Sequence, residues 1–298
     1  MSKIIDTIVE LAVGYFNNYR GKFNLLKKKI MTFDRTPPPL PIFFRKYKVS
    51  VCQLATGMYY VVSPIKKATK NVVLYLHGGA FIFPITKYHY EFLDRIIGET
   101  NATFYIALYP ISHPNYSSFD DTYTFLNELF LKIKDRHAKD TVNIMGDSSG
   151  ACLVLSFAQY VKIHYKYKFT NVIAISPCPR FDYGQDEMIS YSKLDPILND
   201  GLLTGAYLWY LADHNPLNYQ ISAYYGNSHD IGKITLFVGE REIFIYPTYE
   251  YHKKLLKEKI EHNFYVGTDM IHDYVILSNF AESKKAFLKI KKILTNDK

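Results

Sequence analysis

From about residue 70 onward, short apolar runs alternate with longer stretches in which apolar residues recur every three or four positions. The runs cover residues 72–76, 104–108, 142–145, 172–175, 234–238 and 264–266, and the periodic stretches cover 88–97, 122–133, 151–161, 247–256 and 281–294. A strand without polar alternation has both faces covered, and the periodic segments between such strands are the helices that cover them. The pattern predicts an α/β fold on a mostly parallel sheet. Ahead of it, residues 47–62 are rich in Val, Tyr and Thr around Ala55, Thr56 and Gly57, which predicts an antiparallel hairpin.

Two interruptions divide the chain. The cluster Pro37, Pro38, Pro39 and Pro41 cannot be helical, so residues 1–45 form a leading helical appendage and linker, and residues 46–298 the main domain. The interval 177–233 is too long for a simple connection and holds its own apolar segment at 202–211. An insertion of helices above the sheet, at about 180–230, is expected there. No internal repeat or low-complexity tract is visible.

Composition narrows the class without naming a chemistry. A content of 48% hydrophobic and 21% charged residues excludes both a disordered chain and a membrane bundle. The apolar stretch at 4–16 is interrupted by Asp6 and Glu10 and is followed by no small-residue cleavage site, so an amphipathic helix is expected, without stable membrane insertion. The net charge of +8 is spread along the chain. Its densest runs are Lys27 to Lys29 and Lys284 to Lys292; in the second, Lys284, Lys285, Lys289, Lys291 and Lys292 alternate with Phe287, Leu288, Ile290 and Ile293, the signature of a solvated helix face, so no nucleic acid is expected as a partner. Cys52, Cys152 and Cys178 are odd in number and widely spaced, which gives neither a disulfide framework nor a metal motif and fits a reducing, cytoplasmic setting.

Chemistry enters at Gly146-Asp147-Ser148-Ser149-Gly150, which joins the run 142–145 to the helical pattern beginning at Ala151. A Gly-x-Ser-x-Gly motif between strand and helix is a nucleophile elbow: the sharp turn leaves no room for flanking side chains, and the serine sits at a helix amino terminus that favours a developing anion. Asp147 belongs to the same motif. A second glycine turn, His77-Gly78-Gly79-Ala80-Phe81, ends the run 72–76. Glycines there let backbone N–H groups face a site, so Gly78, Gly79 and Ser149 are the candidate oxyanion donors, and His77 is assigned to positioning the loop by hydrogen bonds.

A serine hydroxyl needs a base, and the base an orienting acid. With the partners expected after later strands in the order acid, then histidine, Glu242 follows the run 234–238 and His272 follows 264–266. Glu240, Asp269 and Asp273 compete for the acid. Asp269 and Asp273 are too near His272 in sequence to reach its far ring nitrogen easily. The other histidines, His113, His229, His252 and His262 among them, read as loop or helix-surface residues.

Together these residues resemble the hormone-sensitive-lipase-like group of α/β-hydrolases, also called bacterial lipase family IV. His77-Gly78-Gly79-Ala80 is similar to its His-Gly-Gly-Gly motif, Gly146 to Gly150 to its Gly-Asp-Ser-Ala-Gly elbow, Glu240-Arg241-Glu242 to its Glu-x-Asp loop, and Gly267 to Tyr274 to its Gly-Met-x-His-Gly-Phe segment. Three departures stand out: Glu242 for the usual aspartate, Ala80 for the third glycine, and Tyr109-Pro110-Ile111-Ser112-His113-Pro114 for a Tyr-Arg-Leu-Ala-Pro-Glu segment.

The resemblance implies an eight-stranded, mostly parallel sheet flanked by helices, with a helical cap formed by the amino-terminal helices and the insertion. It implies hydrolysis of short-chain carboxylic esters, with a small-molecule ester as partner and no metal or organic cofactor. Phe81, Phe83, Tyr109 and Trp209 are candidates to line the pocket, and each also fits the core. Two alternatives stay open: an amidase or peptidase of small substrates, and a ligand receptor without turnover, as in plant gibberellin receptors, which lack the histidine present here at His272. An exposed final strand near Phe264 is a possible homodimer edge.

Overall fold

The computed structural model describes residues 41–65, 68–113, 115–182, 192–198 and 200–295. The expected helices before residue 41 lie outside the described residues, as do residues 183–191 and 199 of the expected insertion. Eight strands form one sheet: β1 (Tyr47–Gln53), β2 (Met58–Pro64), β3 (Asn71–Leu76), β4 (Thr103–Leu108), β5 (Thr141–Asp147), β6 (Asn171–Ile175), β7 (Lys233–Gly239) and β8 (His262–Gly267), in the order β1-β2-β4-β3-β5-β6-β7-β8. β1 and β2 are antiparallel, β2 runs antiparallel to β4, and all other pairs are parallel.

The helices are α1 (Pro41–Lys46), α2 (Lys87–Thr100), α3 (Phe119–Arg136), α4 (Ser148–Tyr165), α5 (Asp200–Leu211), α6 (Ile245–Lys257) and α7 (Ala281–Thr295). Pro41, expected outside any helix, opens α1, where a first helical position has no intrahelical N–H bond to lose. The helices cover the sheet on both faces, and the strands divide their side chains between the two layers as a period of two requires. Val72, Leu74 and Leu76 of β3 pack with Leu126 and Phe130 of α3 and with α4 residues such as Phe157. Val73 and Tyr75 pack on the other side with Phe92 and Leu93 of α2 and Ile290 of α7. Every residue of β4 and of β6 is buried. β8 is one edge of the sheet, with Val266 exposed, and its polar start at His262 and Asn263 explains why only its apolar centre was legible. Among the described residues, no helix is long and apolar enough to cross a membrane.

Parallel order brings the carboxyl ends of β3, β4, β5, β6, β7 and β8 to one edge of the sheet. Those ends and the connections leaving them carry every candidate residue, the arrangement expected of a site on an open α/β sheet.

Candidate active site

The turn from β5 into α4 holds Ser148 at φ 48°, in the left-handed region that costs a non-glycine residue energy. β3 pairs with β5 so that Leu76 lies opposite Gly146. The Leu76 carbonyl oxygen would stand 2.5 Å from a Cβ placed at Gly146 and 2.1 Å from one at Gly150. Both flanking glycines are therefore imposed by the neighbouring strand as well as by the turn.

The loop after β3 is fixed by one carboxylate. Asp147 Oδ2 accepts the Gly78 N–H at 2.9 Å and lies 3.0 Å from His89 Nε2, and Tyr75 donates its hydroxyl to Oδ1. The Thr86 N–H donates to His89 Nδ1 at 3.0 Å, so the ring proton sits on Nε2 and is directed at Asp147. Burial alone would raise the Asp147 carboxyl; the donors from His89 and Tyr75 hold it below the ordinary aspartate value. His89 and Tyr75 were not singled out from the sequence. The spacing of Thr86 and His89 is that of a helix capping box, and the pair does form one at the start of α2.

This arrangement corrects one expectation. Gly78 was expected to donate to an oxyanion, but its N–H is taken by Asp147. Gly79 at φ 131° and Ala80 at φ 52° follow in the left-handed region, and a Cβ at Gly79 would lie 2.5 Å from the Phe83 carbonyl oxygen. The N–H groups of Gly79, Ala80 and Ser149 have no partner among the described residues. His77 is buried, its ring stacked on Tyr109 at 4.5 Å with Nδ1 2.7 Å from the Gly78 carbonyl oxygen, and burial pushes its imidazole down to about 4. Tyr109 donates its hydroxyl to the His77 carbonyl and is only 4% exposed, so it braces the loop from the core. Phe81 is buried face to face on Tyr210 of α5 at 3.8 Å, while Phe83 and Trp209 are half-buried.

Across the turn, His272 Nε2 lies 2.8 Å from Ser148 Oγ. On the other side of the ring, Nδ1 stands 3.5 Å from Glu242 Oε2, an ion-pair distance longer than a good hydrogen bond. Glu242 is 1% exposed and accepts the Ser176 hydroxyl at 2.7 Å. Glu240, by contrast, is exposed and accepts the Asp269 N–H at 2.9 Å, away from the imidazole. The Asp273 N–H donates to the same Ser176 hydroxyl at 3.1 Å, so Ser176, just past β6, ties together the loops after β7 and β8. Asp273 does not reach Nδ1, as its proximity in sequence suggested. Its Oδ2 lies instead 3.3 Å from Nε2, on the side of the serine.

A further buried carboxylate, missed in the sequence, joins this group. Asp195 accepts the N–H groups of Ile197 at 2.8 Å and Leu198 at 2.9 Å on one oxygen, and that of Ile243, next to Glu242, at 2.9 Å on the other. The local part of this pattern is an Asx turn, which Asp195 followed by Pro196 could have signalled. Burial lowers the His272 imidazole, but Asp273, Glu242 and Asp195 together outweigh it and raise it to about 10. Burial pushes the Glu242 carboxyl up, with His272 and Ser176 pulling the other way. Among the described residues, no cluster of three or more His, Cys, Asp or Glu side chains could hold a metal ion.

A buried hydroxyl, imidazole and carboxylate in line, beside unpartnered backbone N–H groups, is a layout suited to acyl transfer. The chain belongs to the alpha/beta hydrolase fold family, whose pattern matches residues 73–276. A triacylglycerol lipase from Mycobacterium tuberculosis is 24% identical over 247 residues, covering 82% of this chain and 51% of that protein, so the chain spans about half the length of this relative. A Staphylococcus aureus protein provisionally named an esterase shares the fold with a TM-score of 0.78 at 20% identity, covering 93% of this chain and 92% of its own. An esterase from the bacterial hormone-sensitive lipase family superposes with a TM-score of 0.76 at 16% identity over 97% of each chain. The group named by this structure is the one the sequence motifs resemble.

Proposed function

We propose that the chain is a serine carboxylester hydrolase of short-chain acyl esters. The observation that carries this reading is the 2.8 Å contact between Ser148 Oγ and His272 Nε2, made from a serine held in a left-handed backbone. Nε2 takes the hydroxyl proton as Oγ attacks the ester carbonyl carbon, and the carbonyl electrons move to oxygen. The N–H groups of Gly79, Ala80 and Ser149 receive that oxyanion. Collapse breaks the carbon–oxygen bond to the alcohol, which leaves with the proton from Nε2. Water then releases the acid by the same steps in reverse. Glu242 holds the imidazole orientation and supports its positive charge in the transition state. The esterase and lipase names of the relatives support this substrate class, and the odd number and wide spacing of the cysteines support a reducing compartment.

The test is labelling by a fluorophosphonate together with turnover of p-nitrophenyl esters of increasing acyl length. The wild type labels at Ser148 and turns over the short esters fastest. Ser148→Ala loses the label and on the order of 10⁴-fold or more in kcat while remaining folded. Retained turnover in that variant rejects the nucleophile, and a chain that neither labels nor hydrolyses is a binding protein on this fold.

A further inference from the structure

The carboxylate of Asp273 takes no part in the mechanism above, yet it stands at its centre. Its backbone is left-handed at φ 56°, a conformation that aspartate tolerates better than most residues and that glycine adopts freely. The motif that this segment resembles has glycine at the position, so the carboxylate is an addition to the motif. It has two open ends: Oδ2 lies 3.3 Å from His272 Nε2, and Oδ1 is buried without a hydrogen-bond partner.

The surroundings make this vacancy specific. Asp147 is filled by Gly78, His89 and Tyr75, and Asp195 by three backbone N–H groups; Glu242 has one oxygen on Ser176 and the other, Oε1, likewise without a partner, but its side chain is 0% exposed behind the imidazole, whereas that of Asp273 is 18% exposed on the Nε2 side. Asp273 faces His272 alone, and that contact must loosen whenever Nε2 turns its proton to a reacting oxygen. Nε2 gives its proton to the departing alcohol, so the alcohol must lie against Nε2 and therefore beside Asp273 Oδ2. The acyl carbonyl points the other way, to the backbone N–H groups. A buried acceptor with no donor is costly unless a ligand supplies one.

We propose that Asp273 is a specificity-determining residue for the alcohol half of the substrate, selecting esters whose alcohol carries an ammonium group close to the scissile oxygen. The inference rests on the reading of Ser148 and His272 given above. Burial pushes the Asp273 carboxyl well up, and a cation placed there is the charge partner that holds it ionised and frees Nε2 for Ser148.

The experiment compares 2-(dimethylammonio)ethyl butyrate, a cation with one N–H donor, with 3-methylbutyl butyrate, its neutral isostere, in the wild type, Asp273→Asn and Asp273→Gly. Asparagine and glycine both accept a left-handed backbone, so both variants should fold. The wild type is expected to favour the cationic ester in kcat/KM by roughly tenfold or more, the scale of one partly screened charge pair. Both variants should bring the ratio to about one. A ratio near one in the wild type, a preference that survives both substitutions, or labelling of Ser148 without turnover of the cationic ester overturns the proposal. Absence of both labelling and hydrolysis overturns instead the reading of the site beneath it.

Discussion

His272 is the residue on which opposing forces meet. Burial disfavours its charged form, and three carboxylates favour it, with a net upward displacement from the ordinary 6.5. A base that is already protonated cannot take the Ser148 proton, so kcat/KM should rise with pH along a limb lying above 6.5. A pH profile of the wild type checks this, and Asp273→Asn, which removes the first of those charges, should move the limb to lower pH. The two glutamates after β7 separate on the same physical grounds. Glu242→Gln should cost on the order of 10²–10⁴-fold in kcat, because the buried amide can present the wrong partner to Nδ1. Glu240→Gln should stay within about twofold, since that side chain is exposed and serves only the Asp269 N–H. Activity measurements giving the reverse order would reassign the acid.

At the level of elements, the elbow depends on how closely β3 passes it. Gly150→Ala would force a methyl group to 2.1 Å from the Leu76 carbonyl oxygen, a backbone atom that cannot rotate away. The variant should lose about 1–3 kcal/mol of stability, seen as a lower melting midpoint, and most of its activity. An unchanged midpoint would mean that β3 and α4 are less tightly opposed than described. The strands themselves were largely legible: runs read at 72–76 and 234–238 became Asn71–Leu76 and Lys233–Gly239. Their burial on both faces is written in consecutive apolar residues. Ser148, Glu242 and His272 were legible because their motifs sit directly after such runs. His89, Asp195 and the placement of Asp273 were not, because each acts through a contact between distant segments or through a side-chain direction that periodicity does not encode. The occupied N–H of Gly78 belongs to the same class. Its glycine was readable, but the carboxylate that claims it lies 69 residues away.

For the molecule as a whole, the buried His77 sets an acid limit. Its imidazole is held at about 4 when folded, against 6.5 ordinarily, so on acidification the unfolded chain takes up the proton first. The His77 contribution is complete above pH 6.5 and is lost progressively as the pH falls to about 4, a loss on the order of 3 kcal/mol. Melting midpoints across that window should fall more steeply for the wild type than for His77→Gln, and parallel curves would remove His77 as the cause.

The hydroxyl of Ser176 performs no chemistry, yet it bonds both to the glutamate beside the imidazole and to the backbone just after it. It works as a shared pin. Thermal drift in one of the two loops is passed to the other, so acid and base travel as a pair and their spacing outlasts motions that would blur two independently anchored segments. The tolerance of the reacting groups is thus set one strand away, by a side chain that never meets the ester.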